Sequence, residues 1–153
     1  MGLVRRRGSG WSWDGVAPRR YEAGAERHVL VSSADGAADV ELRYFRIPPG
    51  GASALERHAH EHAILVLHGR GEVLLGDVVH PVGEGDAVFV QSEELHQLRA
   101  LDHEALGFLC TALVSRGLAH DRPSTSAAPG HATESARAPA GDRIAKPQAA
   151  PGG

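Results

Sequence analysis

Apolar residues between 39 and 118 come in short blocks, with no stripe running through them. Val40 to Ile47 (VELRYFRI) mixes β-branched and aromatic residues with alternating polar ones and stops at Pro48-Pro49-Gly50-Gly51. That is the composition of a strand closed by a turn. Residues 63–67 (AILVL) form a brief apolar run ending at His68-Gly69. Residues 72–75 and 78–82 flank Gly76-Asp77 and predict a hairpin with a two-residue turn. Gly83 to Asp86 makes another turn before 87–90 (AVFV), and 96–100 and 105–114 complete the set. No window carries a helical period of adequate length. Many short strands between glycine-rich turns predict an all-β sandwich or barrel with almost no helix.

The flanks read differently. In residues 1–38, Trp11 and Trp13 alternate like neighbours on one strand face, with Tyr21 the only other aromatic nearby. Both tryptophans of the chain lie here, which predicts a segment packed on the barrel or on a partner subunit. Residues 119–153 are rich in Ala, Pro, Gly and Ser, and Ile144 is the only large aliphatic residue after 121. Such a stretch cannot bury enough apolar surface to offset its ordering entropy and is expected to be a disordered tail.

Composition narrows the class. A chain of 153 residues, 42% hydrophobic and 23% charged, suits one domain. No run of about 18 uncharged apolar residues exists, so no membrane partner is expected. The start MGLVRRRGSG has no apolar run behind its arginines and does not read as a secretory signal. A net charge of -3 argues against nucleic acid as the main partner. The single cysteine, Cys110, excludes an internal disulfide and fits a reducing cytoplasm. Set in an apolar strand pattern, it reads as an inert buried thiol.

Six of the ten histidines lie between 58 and 96. The dense part is Glu56-Arg57-His58-Ala59-His60-Glu61-His62, with His96 far downstream. Residues two apart on a strand share a face, so Glu56 and His58 point the same way, and a turn after His58 can return His62 beside them. Imidazole is the commonest protein ligand of divalent transition metals, and a carboxylate adds charge balance. Spacing favours a specific metal site, with a solvated polar face or a fortuitous chelating patch as the alternatives. The spacings of other metal, phosphate-loop and serine-nucleophile motifs are missing.

The placing of turns and histidines resembles the cupins. Their first motif is Gly, five residues, His-x-His, three or four residues, Glu, six residues, Gly. Here Gly50 is followed by five residues, Glu56-x-His58, three residues, His62, six residues and Gly69. The second motif is Gly, five residues, Pro-x-Gly, two residues, His, three residues, Asn. Here it reads Gly85, five residues, Gln91-x-Glu93, two residues, His96, three residues and Ala100. The first histidine and the glutamate have thus exchanged types, and Pro, Gly and Asn of the second motif are replaced. A register with His58 and His60 as the pair would put Ile64 or Leu65 at the glutamate position, where no ligand is available.

The resemblance implies a cupin, a double-stranded β-helix (jelly-roll) barrel over 39–118. It implies one divalent transition metal (Fe, Mn, Ni, Zn or Cu) on Glu56, His58, His62 and His96, with Glu56 also catalytic. His60 is expected at the turn between strands, behind the ligands or facing solvent. Phe45, Leu65, Leu67, Phe89, Leu98 and Phe108 are expected to line the pocket. His68, His80, His103 and His120 are expected on the surface. Cupins with such sites suggest a homodimeric enzyme doing dioxygenase-type or enolate chemistry on a small oxygen-rich molecule. The alternatives are a non-catalytic small-molecule binding or sensing module and a barrel merely braced by the metal.

Overall fold

The computed structural model describes residues 2–21 and 24–113. The tail expected from 119 onward, His120 included, lies outside the described residues. Nine strands follow one another: β1 (Arg19–Arg20), β2 (Glu26–Val31), β3 (Val40–Ile47), β4 (His62–His68), β5 (Arg70–Leu75), β6 (Val78–Gly83), β7 (Ala87–Val90), β8 (His96–Ala100) and β9 (Leu106–Leu113). Two single-turn 3-10 helices, Ser9–Trp11 and Ser33–Asp35, are the helical elements among the described residues. The six-stranded sheet has the order β1-β2-β3-β9-β4-β7, and the three-stranded sheet β6-β5-β8. All pairings are antiparallel.

The seven blocks read from the sequence become β3 to β9. β2 was not foreseen as a strand of the sheet. It pairs with β3 from Glu26 opposite Arg46 to Val31 opposite Leu42, across a register shift between Val29 and Val31. The sheet therefore reaches outside the 39–118 range read as the barrel. β2 offers only a short alternating pattern, and its partner β3 lies nine residues beyond its end.

Register decides what faces inward. Phe45 stands opposite Phe108 and Arg43 opposite Cys110, while Cys110 faces Ile64 across its other edge. Phe45, Ile64, Val66, Val73, Val90, Leu98, Leu106, Phe108 and Cys110 belong to the buried core. The rings of Phe45 and Phe108 stack at 5.4 Å between centroids. Gly69 turns the chain from β4 into β5 at φ +77°, and a Cβ there would lie 2.0 Å from the Ala105 carbonyl oxygen. Only glycine meets both demands. β6 is the outer strand of the smaller sheet; its Val78, Val79, His80 and Pro81 are exposed, with Pro81 opposite Glu72.

The N-terminal segment packs on the outside of the larger sheet. Trp11 stacks on His68 (4.8 Å, 25°) and Tyr44 (5.9 Å, 13°), and Trp13 meets Tyr44 at 4.8 Å and His28 at 5.7 Å. Tyr44 is thereby fully buried although it points away from the barrel interior. Gly107 leaves room for the His68 ring, since a Cβ there would meet Nε2 at 1.9 Å. His68 is thus not the surface residue expected, whereas His80 and His103 are exposed.

Candidate metal centre

Three elements bring the histidines together. His62 opens β4 and His96 opens β8. The strand-like stretch before β4 runs beside β8, with bridges Ala52–Arg99 and Glu56–His96. Glu56 N donates to His96 O at 3.0 Å and His96 N to Glu56 O at 2.9 Å. The loop carrying His58 is tied to the turn before β8 by Glu93 N donating to His58 O (2.7 Å) and Ser92 Oγ to Ala59 O (2.7 Å).

One ring nitrogen each from His58, His62 and His96 lies within 4.8 Å of the others. Nδ1 of His58 lies 3.1 Å from His60 O, that of His62 3.4 Å from Thr111 O, and that of His96 2.9 Å from Glu94 O. A carbonyl oxygen only accepts, so each Nδ1 carries the proton and each Nε2 presents a lone pair. The Nε2 atoms of His58 and His62 face each other at 3.0 Å. Two facing lone pairs repel unless a cation lies between them. Nitrogens at right angles around an ion about 2.1 Å away would stand about 3.0 Å apart. The histidine set therefore fits a divalent transition metal. Burial, with Arg43 and the neighbouring histidines, pushes the His62 pKa down to about 3, and burial lowers that of His96. Both rings are held neutral, the form that ligates.

The cavity over this cluster encloses about 70 Å³ and is lined by Phe45, Ile64, Leu98 and Phe108 as well as by polar groups. Glu56 lines it, with Oε1 accepting a hydrogen bond from the Tyr21 hydroxyl. His60 lines it too, stacked on His58 at 3.8 Å with the rings parallel to 2°. Of the apolar residues expected here, Phe45, Leu98 and Phe108 are present and three are not. Leu65 and Phe89 are 42% and 55% exposed on the outer face. Leu67 sits at the register shift between Val66 and His68. Strand alternation places Ile64 and Val66 on the inner face with His62, so Leu65 must point outward. Phe89 is displaced for the same reason by the buried Val90.

Tyr21, Arg43 and Cys110 line the cavity without having been expected there. Cys110 Sγ lies 3.4 Å from His62 Nδ1 and 3.7 Å from an Arg43 nitrogen. Burial pushes the thiol pKa up, against the pull of Arg43. Arg43 is itself buried, 3.5 Å from Glu41.

A barrel of two antiparallel sheets with inward imidazoles at one end is the architecture of the cupins, and the comparisons agree. The cupin-domain family model matches residues 43–112. A cupin-2 domain of Rhodospirillum rubrum superposes with a TM-score of 0.65 at 38% identity, covering 72% of this chain and 78% of that one. A cupin 2 conserved barrel domain protein from Rhodopseudomonas palustris gives 0.66 at 37%, covering 74% and 81%. The chain belongs to the cupin-2 family. It is also similar to the 1-methylthio-D-xylulose 5-phosphate methylsulfurylase of Rhodospirillum rubrum, at 43% identity over 103 residues and 67% of this chain. The match spans 63% of that relative's length. Among the described residues, no helix is long and apolar enough to cross a membrane.

Proposed function

We propose that the chain is a metal-dependent cupin enzyme of the enolate-forming kind, cleaving a carbon–sulfur bond next to a ketone in a methylthio-bearing ketose phosphate. The observation that carries this reading is the Cys110 thiol in one cavity with the three imidazoles. The likeness to a methylsulfurylase supplies the substrate class. His58, His62 and His96 are the proposed residues that hold the metal, while Glu56, expected as a fourth ligand, lines the same cavity. A divalent ion there supplies Lewis acidity toward a ketone oxygen, which makes the adjoining carbon a better leaving group.

The chain's own sulfur does the rest. Cys110 attacks the methylthio sulfur; an S–S bond forms and the carbon–sulfur bond breaks. Its electron pair passes to the carbon beside the ketone. The proton released by the thiol ends on that carbon, giving a methyl ketone. A thiol co-reactant then exchanges with the methyl disulfide and restores Cys110. The thiolate is the attacking form, and the Arg43 guanidinium, 3.7 Å from Cys110 Sγ, favours it against burial as the proton leaves for the product carbon.

The test is to incubate metal-loaded protein with 1-methylthio-xylulose 5-phosphate and no added thiol, then read Cys110 by mass spectrometry. A methylthio adduct on Cys110 and one equivalent of 1-deoxy ketose phosphate support the reading, and Cys110→Ala gives neither. Oxygen uptake in place of sulfur transfer would favour the dioxygenase reading, and tight binding without conversion the sensing module. The expected homodimer stays a proposal; exposed Leu65 and Phe89 support it, and sedimentation tests it.

A further inference from the structure

Glu56 lines the cavity, yet its carboxylate stands apart from the group of three close-set ring nitrogens. Its Oε1 is taken by the Tyr21 hydroxyl. Tyr21 is firmly held. Its backbone N donates to Ala25 O at 2.7 Å, its ring meets Phe45 edge-on at 5.6 Å, and the Arg27 guanidinium lies over it at 5.5 Å. Glu56 is fixed at the other end by its paired backbone bonds with His96. Both partners are thus anchored through different strands.

The geometry points to Tyr21 as a positioning residue that holds Glu56 out of the metal's ligand shell. His58, His62 and His96 would then hold the ion alone and would leave it open to a substrate that chelates through two adjacent oxygens, as an α-hydroxyketone does. Six-fold coordination leaves three positions beside three nitrogens, against two when a carboxylate joins. It also leaves the ion its full positive charge toward an anionic ketose phosphate. A hydrogen bond to a charged acceptor biases such a choice by about ten- to a hundredfold. The signal is invisible in the motif spacing, because Tyr21 comes from the N-terminal segment.

The inference rests on the reading of the cavity as a metal site, and its test needs no turnover. Metal-free wild type, Tyr21→Phe, Glu56→Gln and the double variant are titrated with Co(II), and the visible spectrum of each is recorded. Phenylalanine keeps the ring contacts to Phe45 and Arg27. Tyr21→Phe is expected to bind Co(II) several-fold more tightly with an altered spectrum, as the released carboxylate joins the ion. Glu56→Gln is expected to keep the wild-type spectrum and an affinity within about twofold, and the double variant to return to the wild-type spectrum. A tenfold or greater loss in Glu56→Gln, or a wild-type spectrum in Tyr21→Phe, overturns the inference. Should Co(II) bind as stated while no methylthio group is transferred, the proposed reaction fails and the positioning role stands.

Discussion

The hydroxyl of Tyr44 lies 2.8 Å from His68 Nε2, on the outer face of the larger sheet beneath Trp11. Burial pushes the Tyr44 pKa up to about 12 from the ordinary 10. The folded protein therefore keeps a proton that the unfolded chain releases above pH 10. The contribution of Tyr44 to stability is complete below pH 10 and is lost between 10 and 12. Two pH units correspond to about 2–3 kcal/mol. Denaturant melts at pH 9 and pH 12 should show wild type losing that much more than Tyr44→Phe, in which every other titrating group is unchanged.

On the acid side the histidines govern. His28, His62, His68 and His96 all have pKa values lowered first by burial. Below pH 6.5 the unfolded chain takes up protons that the fold excludes, so stability is present above 6.5 and falls as the pH drops. Each excluded proton contributes up to about 1.4 kcal/mol per pH unit. His28→Phe keeps an aromatic ring against Trp13 and Tyr44 and removes a buried Nδ1 that has no hydrogen-bond partner among the described residues. The metal-free variant should show a shallower loss of stability from pH 7 to pH 5.

Replacing His58, His62 or His96 with Ala should abolish stoichiometric metal, because each removes one of three lone pairs. His60→Ala takes away a stacked neighbour and should largely keep the metal, weakening affinity by about ten- to a hundredfold. Metal analysis of the four dialysed variants decides the matter. Retained metal in His62→Ala with loss in His60→Ala would reverse the assignment.

Glu93 adopts φ +61°. This is the left-handed region, and Glu93 occupies the position where the second cupin motif has glycine. The residue type departed from the pattern while the backbone kept the conformation, because Glu93 N must reach His58 O. The strain of a side chain there is about 1–2 kcal/mol, partly offset by the entropy glycine loses on folding. Glu93→Gly should raise stability by about 0.5–1 kcal/mol and leave metal content unchanged, as a melt with metal analysis will show.

The same contrast explains what could be read in advance. β3 to β9 were legible because turn residues bound each apolar block, and the three histidines because their spacings to Gly50, Gly69 and Gly85 fit one pattern. Hydrophobicity alone does not mark the pocket wall, because strand phase decides which residues face inward. Once His62 faces inward, Leu65 cannot. The same rule applied to Phe45 and Phe108 places Arg43 and Cys110 inside, two residues away on the same strands. Tyr21 had no such signal, since its approach to Glu56 depends on how the N-terminal segment folds back over the sheet.

Pro81 lies in β6, the outer strand of the smaller sheet, beside exposed Val78 and Val79. Proline has no N–H, so a strand from another molecule laid along this margin would find a rung missing from its hydrogen-bond ladder. β-branched residues on a free margin are otherwise the start of sheet-on-sheet accretion. The missing rung makes this margin a poorer template for such accretion than the exposed Val78 and Val79 alone would make it.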